Sequence, residues 1–224
     1  MKLDQHSIHA VIFDMDGTLL DTERLRFKIL KQTFVEILGF ECSEDYLTQC
    51  LGLNERSTQQ LTEKFYNENV PYQQIRQRAD ELEHIYIQQH GVPVKEGVVE
   101  ILKYLNSINI PLAVATSSER VEAEEYLHMA NILHYFKLLV CGDEVEKGKP
   151  NPEIFRTASQ RLNIETQYCL MIEDSQNGIR SANSAQGVSI LIRDIKQPTA
   201  MMLELADYYF ESMQGFHQQL IAEN

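Results

Sequence analysis

Five short apolar runs, each stopping at polar or glycine-containing sequence, constrain the fold of this chain more than any other feature. They cover residues 9–13, 110–115, 137–141, 168–172 and 188–192. Runs of this length, bounded by turn-forming residues, predict buried strands. Residues 97–108, 119–129, 152–162 and 176–185 carry apolar residues near 3.6 spacing and predict amphipathic helices. Strand and helix alternate, so the expected class is α/β, a Rossmann-like, doubly wound parallel sheet with helices on both faces.

Residues 22–91 break this rhythm. Helical patterns recur at 23–38, 43–51, 55–69 and 72–90, and no strand intervenes. The expected organisation is a core of residues 1–21 and 92–224 carrying an inserted helical cap, 22–91. Leu20-Asp21-Thr22 and Gly91-Val92-Pro93 flank the insertion as hinges. A chain of 224 residues, 43% of them hydrophobic, has room for one substantial core plus such a module.

Composition narrows the partners. A formal net charge of -13 and a pI near 5.0 argue against nucleic acid and against anionic membrane surfaces. An anionic substrate must therefore be met by a local basic pocket. Cys42, Cys50, Cys141 and Cys169 form no Cys-x-x-Cys pair and no disulfide framework, which suits a reducing compartment. The N-terminal decapeptide lacks the pattern of a secretion signal, and no run approaches the ~20 apolar residues of a membrane span. A cytoplasmic protein is expected, monomeric or weakly dimeric, acting on a small molecule.

The first apolar run ends at Asp14-Met15-Asp16-Gly17. Residues two apart on a strand point the same way, so Asp14 and Asp16 can present two carboxylates to one crevice. Close carboxylates repel unless one is protonated or a hard cation lies between them, and carboxylates with backbone oxygens suit Mg²⁺. Gly17 permits a tight turn, and Thr18 adds a hydroxyl. An Asx-turn or a structural calcium loop is the alternative for this tetrapeptide. An EF-hand would need a later glycine and a glutamate where Leu25 stands.

Three further segments follow strands. In Ala115-Thr116-Ser117-Ser118, one of the serines can cap a helix, while Thr116 is better placed to offer its hydroxyl to a phosphate oxygen. In Glu146-Lys147-Gly148-Lys149-Pro150-Asn151-Pro152, Asn151 can cap a helix that has Pro152 at its first position. Lys149 there is a phosphate clamp: an ammonium about 4 Å from an anion supplies roughly 4 kcal/mol at an effective dielectric near 20. Glu173-Asp174-Ser175-Gln176-Asn177-Gly178 places two acids at a strand end, with Ser175 as helix cap.

Asp-Met-Asp-Gly-Thr, Thr-Ser-Ser, Lys-Pro and Glu-Asp-Ser-x-x-Gly, in this order, resemble the haloacid-dehalogenase superfamily along essentially the whole chain. The helical insertion resembles the subfamily with a type 1 helical cap, which includes β-phosphoglucomutase and phosphoglycolate phosphatase. The resemblance implies a phosphatase in which Asp14 attacks phosphorus to form an aspartyl phosphate. Asp16 would protonate the leaving alcohol and then activate water. Mg²⁺ would be bound by Asp14, the Asp16 carbonyl and Asp174, with Glu173 nearby, and Thr116 and Lys149 would hold the phosphoryl oxygens.

Hydrolysis is favoured over a mutase, because the mutase histidine after the first motif aligns with Arg26, and no histidine occurs between His9 and His84. Thr18, Ser117, Arg26, Arg56 and Arg78 are the substrate-binding candidates, with Arg24 a further cap arginine. In the stretch Gly52-Leu53-Asn54-Glu55-Arg56, a basic substrate-contact position of the mutases falls on Glu55 unless the register shifts by one.

Overall fold

A computed structural model describes every residue except Gly52 and Asn54. The chain divides into two compact units, Met1–Asp21 with Val92–Asn224, and Thr22–Gly91.

The larger unit begins with a two-residue antiparallel pair, β1 (Lys2–Leu3) and β2 (His6–Ser7). Its main sheet comprises β3 (Ala10–Phe13), β4 (Leu112–Ala115), β5 (Leu138–Val140), β6 (Cys169–Glu173), β7 (Val188–Ile192) and β8 (Tyr208–Phe210). The spatial order is β5-β4-β3-β6-β7-β8, and every pairing is parallel. All four residues of β3 are buried, as a strand covered on both faces requires. The chain leaves β3 toward β4 and β5, then returns to place β6 on the other side of β3. That reversal opens a crevice at the carboxyl ends of β3, β4 and β6, where α/β sheets bind ligands.

Helices α5 (Val98–Ser107), α6 (Arg120–Met129), α7 (Glu153–Leu162), α8 (Gln176–Ala185), α9 (Ala200–Leu205) and α10 (Met213–Glu223) belong to this unit. One core cluster joins Ile12, Ala113, Ala115 and Met171 from the strands to Ile154, Phe155 and Ala158 from α7, and to Ala182 from α8. Among the described residues, no helix is long and apolar enough to cross a membrane.

The five strands expected from apolar runs all form, with shifts of a residue or two at their ends. One shift matters, because β6 extends through Glu173 and so puts that acid on the sheet itself. The sixth strand, β8, comes from Tyr208-Tyr209-Phe210, all only partly buried. Its apolar run is too short to announce itself. Two helix starts also depart from expectation. Pro152 occupies the cap of α7 rather than its first position, although Asn151 Oδ1 still accepts the Glu153 N–H at 3.1 Å. Helix α6 begins at Arg120, after Glu119, and its first N–H donates to Asp143 Oδ1 at 3.1 Å.

Glu144 secures the turn after β5. It accepts from Arg120 of α6 at 2.5 Å, from Arg161 of α7 at 2.8 Å and from the Cys141 N–H at 2.9 Å. Burial alone would raise its pKa, but these bonds overcome that and bring it from 4.5 down to about 2. A depressed carboxylate pKa stabilises the fold above its unfolded value and loses that effect as pH falls toward the folded one. Glu144→Gln is therefore expected to cost about 1–2 kcal/mol at neutral pH, discounted for partial exposure. In urea titrations the difference should shrink from pH 4.5 toward 2; a pH-independent difference would contradict the charge argument.

The smaller unit consists of α1 (Thr22–Leu38), α2 (Glu44–Cys50), α3 (Glu55–Tyr66) and α4 (Tyr72–His90). Its core gathers Phe34, Tyr46, Leu47 and Ile75. Phe34 packs on Tyr46 and Tyr66 with centroids 5.6 and 5.1 Å away. Thr62 donates to the Thr58 carbonyl at 2.7 Å, so the buried Tyr46 hydroxyl donates to Thr62 at 2.9 Å. That bond removes the penalty of burying a tyrosine hydroxyl.

Candidate active site

Asp14 follows β3 directly, and its N–H donates to the Ile172 carbonyl at 2.9 Å. The ladder thus continues one residue past the strand and holds the carboxylate at the sheet edge. Thr116 follows β4 and is anchored in the same way to Val140 at 3.0 Å. Glu173 ends β6. Asp14, Thr116 and Glu173 are 7%, 1% and 0% exposed.

Lys149 reaches this centre from the loop before α7. Its Nζ pairs with Asp14 Oδ1, lies 2.6 Å from Glu173 Oε1 and donates to the Ala115 carbonyl at 2.9 Å. The Glu173 approach is an ion-pair contact without hydrogen-bond alignment. Burial alone would lower the lysine pKa, but the charges of Asp14 and Glu173 outweigh it and raise it. Burial and the Asp14 charge push Glu173 above the ordinary carboxylate range, against the opposing pull of Lys149 and Ser175.

Carboxylate oxygens of Asp14, Glu173 and Asp174 all lie within 4.8 Å of one another. Three acids around one ammonium leave an excess of negative charge, and oxygen donors at that separation suit a hard divalent cation. The residues present therefore fit Mg²⁺. Two glycines make the cluster possible. Gly17 has φ +79°, and a Cβ there would collide with the Asp174 carboxylate. A Cβ at Gly178, in the first turn of α8, would run into the Glu173 carboxylate.

Asp16 does not join the carboxylate cluster. Its Oδ2 accepts from the Ser118 hydroxyl at 3.1 Å. The expected serine N-cap of α6 is thus replaced by a different contact, because Thr116 Oγ1 accepts the Ser118 N–H at 3.1 Å and turns the chain early. Ser118 is a site residue that its helix-cap composition disguises. Ser117 is exposed beside it. Thr18, expected among substrate contacts, is fully buried and donates to Asp174 Oδ1 at 3.2 Å. The Gly17 turn sends it inward, where it orients an acid.

The cap arginines divide. Arg26 is held by Asp80 at 2.8 Å and Glu83 at 2.6 Å. Arg78 is held by Glu36 at 2.9 Å and Glu81 at 3.3 Å, on an exposed face. Arg56 is exposed on α3, and the adjoining Gly52 and Asn54 lie outside the described residues. Within this unit, Arg26, Tyr46, Glu55, Thr58, Tyr72 and Arg76 help line a cavity of about 320 Å³. Arg76, which no sequence signal singles out, pairs there with Glu55 at 2.6 Å.

An open parallel sheet that gathers carboxylates and one buried lysine at the ends of its central strands, with a helical unit inserted after the first of them, defines a class of α/β hydrolases. Residues 11–192 match the model of the haloacid dehalogenase-like hydrolases, and the chain belongs to that family. A phosphorylated carbohydrates phosphatase of Thermotoga maritima is 34% identical over 178 residues, covering 80% of this chain and 82% of the relative. A Thermotoga maritima structure, provisionally assigned to β-phosphoglucomutase, superposes with a TM-score of 0.81 at 29% identity over 96% of this chain and 99% of that one. A hydrolase of the family from Deinococcus radiodurans R1, with bound phosphate and sodium, gives a TM-score of 0.83 at 23% identity, covering 98% and 97% of the two chains. That last likeness concerns the fold alone.

Proposed function

We propose that this chain is a Mg²⁺-dependent phosphatase of small phosphorylated metabolites, with sugar phosphates the favoured class. The observation that carries it is the pairing of Asp14 with buried Lys149 inside a cluster of three carboxylates. A nucleophilic carboxylate must be oriented for attack, and Lys149 holds one Asp14 oxygen in place. The name of the Thermotoga maritima phosphatase supports the substrate class.

In the first step an Asp14 oxygen bonds to phosphorus as the bond from phosphorus to the leaving oxygen breaks. Asp16 gives its proton to that oxygen, so the alcohol leaves neutral. Asp16, now ionised, takes a proton from water as the water oxygen attacks the phosphorus of the aspartyl phosphate. Inorganic phosphate leaves and Asp14 is restored. The Ser118 hydroxyl holds the Asp16 carboxyl between these tasks. Thr116 and Lys149 offer donors to the phosphoryl oxygens. Mg²⁺, held by Asp14, Asp174 and the Asp16 carbonyl with Glu173 nearby, would neutralise charge between nucleophile and phosphoryl group.

Thr22–Gly91 serves as the substrate-selecting cap, and the remaining residues form the catalytic core. A cytoplasmic location suits the four free cysteines. The test is release of inorganic phosphate from a panel of sugar phosphates, phosphoglycolate and nucleoside monophosphates, with Mg²⁺ or with EDTA. Release with Mg²⁺ and its loss in EDTA are the expected results. Isomerised sugar phosphate without free phosphate would instead assign a mutase, the alternative favoured by the provisional name of the second Thermotoga maritima protein.

A further inference from the structure

A second lysine lies partly buried behind the catalytic turn. Lys95 stands where the chain has returned to the core unit, and its side chain is 10% exposed. Its Nζ donates to the Gly17 carbonyl and, at 2.7 Å, to Asp194 Oδ1, a carboxylate 5% exposed in the loop after β7. The Lys95 N–H donates to the Leu19 carbonyl at 3.0 Å, and the Asp21 N–H to the Pro93 carbonyl at 2.8 Å. The returning segment is therefore paired side by side with the residues that follow the catalytic turn.

Burying an ammonium with a carboxylate is costly in desolvation and is weak evidence of a stabilising role. Its geometry here serves another purpose. Gly17 sits between Asp16 and Thr18, at φ +79°, with the Asp174 carboxylate against its Cα. Its carbonyl belongs to the rigid Gly17–Thr18 peptide plane, so holding it orients the Thr18 N–H, while the Asp16–Gly17 plane is tied by the Gly17 N–H, which donates to the Leu20 carbonyl at 3.0 Å. Lys95 is the side chain that holds that carbonyl.

We infer that Lys95 is a positioning residue for the Asp16-Gly17-Thr18 turn, anchored by Asp194, and that it acts on the proton-transfer step through the backbone of that turn. The inference rests on the phosphatase function proposed above. Lys95→Met alone would leave the Asp194 carboxylate buried without the ammonium, and so lower stability as well as activity. Lys95→Met/Asp194→Asn removes the charge problem while leaving Gly17 unanchored. The double variant is the informative one.

The two readouts are kinetics and hydrogen exchange. For the most active alkyl phosphate of the panel, kcat/KM should fall about 10- to 100-fold, as for other residues that support a site from behind. For p-nitrophenyl phosphate, whose phenolate departs without needing a proton, it should fall less. The ratio of the two substrates should then shift by about tenfold. The Gly17 and Leu19 amides, bonded to Leu20 and Met15 carbonyls at 3.0 and 2.8 Å, should exchange faster in the double variant. Equal losses on both substrates with unchanged exchange, at a Tm near wild type, would overturn the inference and leave Lys95 a structural ion pair. If the wild type hydrolyses neither substrate, the phosphatase proposal fails by itself, and exchange at the turn still decides whether Lys95 anchors it.

Discussion

Asp14→Asn is expected to abolish phosphate release while leaving the metal-free protein no less stable than the wild type. An amide cannot form the acyl phosphate under these conditions, so the loss should be at least about 10⁴-fold, the scale for removing a covalent nucleophile. The stability side follows from charge. Without a cation, Asp14, Glu173 and Asp174 crowd their oxygens within 4.8 Å of one another, and Lys149 contacts two of the three. Asparagine removes one negative charge, keeps the shape, and leaves Lys149 paired with Glu173 at 2.6 Å. Sites that strain the fold for function commonly gain stability when disarmed. Thermal unfolding in EDTA should show an equal or higher Tm, and the rise on adding Mg²⁺ should shrink because one ligand charge is gone. A variant that still releases phosphate at a tenth of the wild-type rate would refute Asp14 as nucleophile.

Lys149→Met should damage both activity and fold. Methionine fills the lysine stem but leaves Glu173, 0% exposed, and Asp14, 7% exposed, without their shared cation. Breaking a buried ion pair from one side typically costs about 3–5 kcal/mol. Loss of a charged donor to the phosphoryl group typically costs about 10²–10³ in kcat. Adding Glu173→Gln should recover most of the stability, since a neutral amide can be buried more cheaply than a lone carboxylate, and should recover none of the activity. Urea denaturation beside the phosphate assay separates the two effects. Recovery of turnover in the double variant would mean that Lys149 serves only to neutralise Glu173.

Motif residues in this chain were legible to different degrees. Asp14, Thr116, Glu173 and Asp174 each follow or end an apolar run, and strand ends in a parallel sheet share one edge, so their convergence follows from local pattern and topology. Ser118 was visible but ambiguous, because serine before a helix has the composition of a cap; only the Thr116–Ser118 turn sends its hydroxyl to Asp16. Thr18 was legible as part of the turn, yet its burial depends on what packs against it. The cap arginines were the least legible. Guanidinium groups on helices read alike, whether spent on Asp80 and Glu83, as for Arg26, or on Glu36 and Glu81, as for Arg78.

By itself, the sequence determined the alternation of strand and helix, the inserted helical segment and the acidic turn after the central strand. These depend on periodicity and on backbone preferences that act over a few residues. Tertiary structure decided which distant groups meet. Lys149 reaches Asp14 across 135 positions, and Lys95 reaches Asp194 across 99. A lysine in a loop carries no local mark of its partner, because burial and ion pairing are created by the packing of the sheet and by the loops at its edge. The sheet's last strand was decided in the same way: Tyr208–Phe210 is too short to form a strand on its own pattern, and pairs only because β7 presents a free edge beside it.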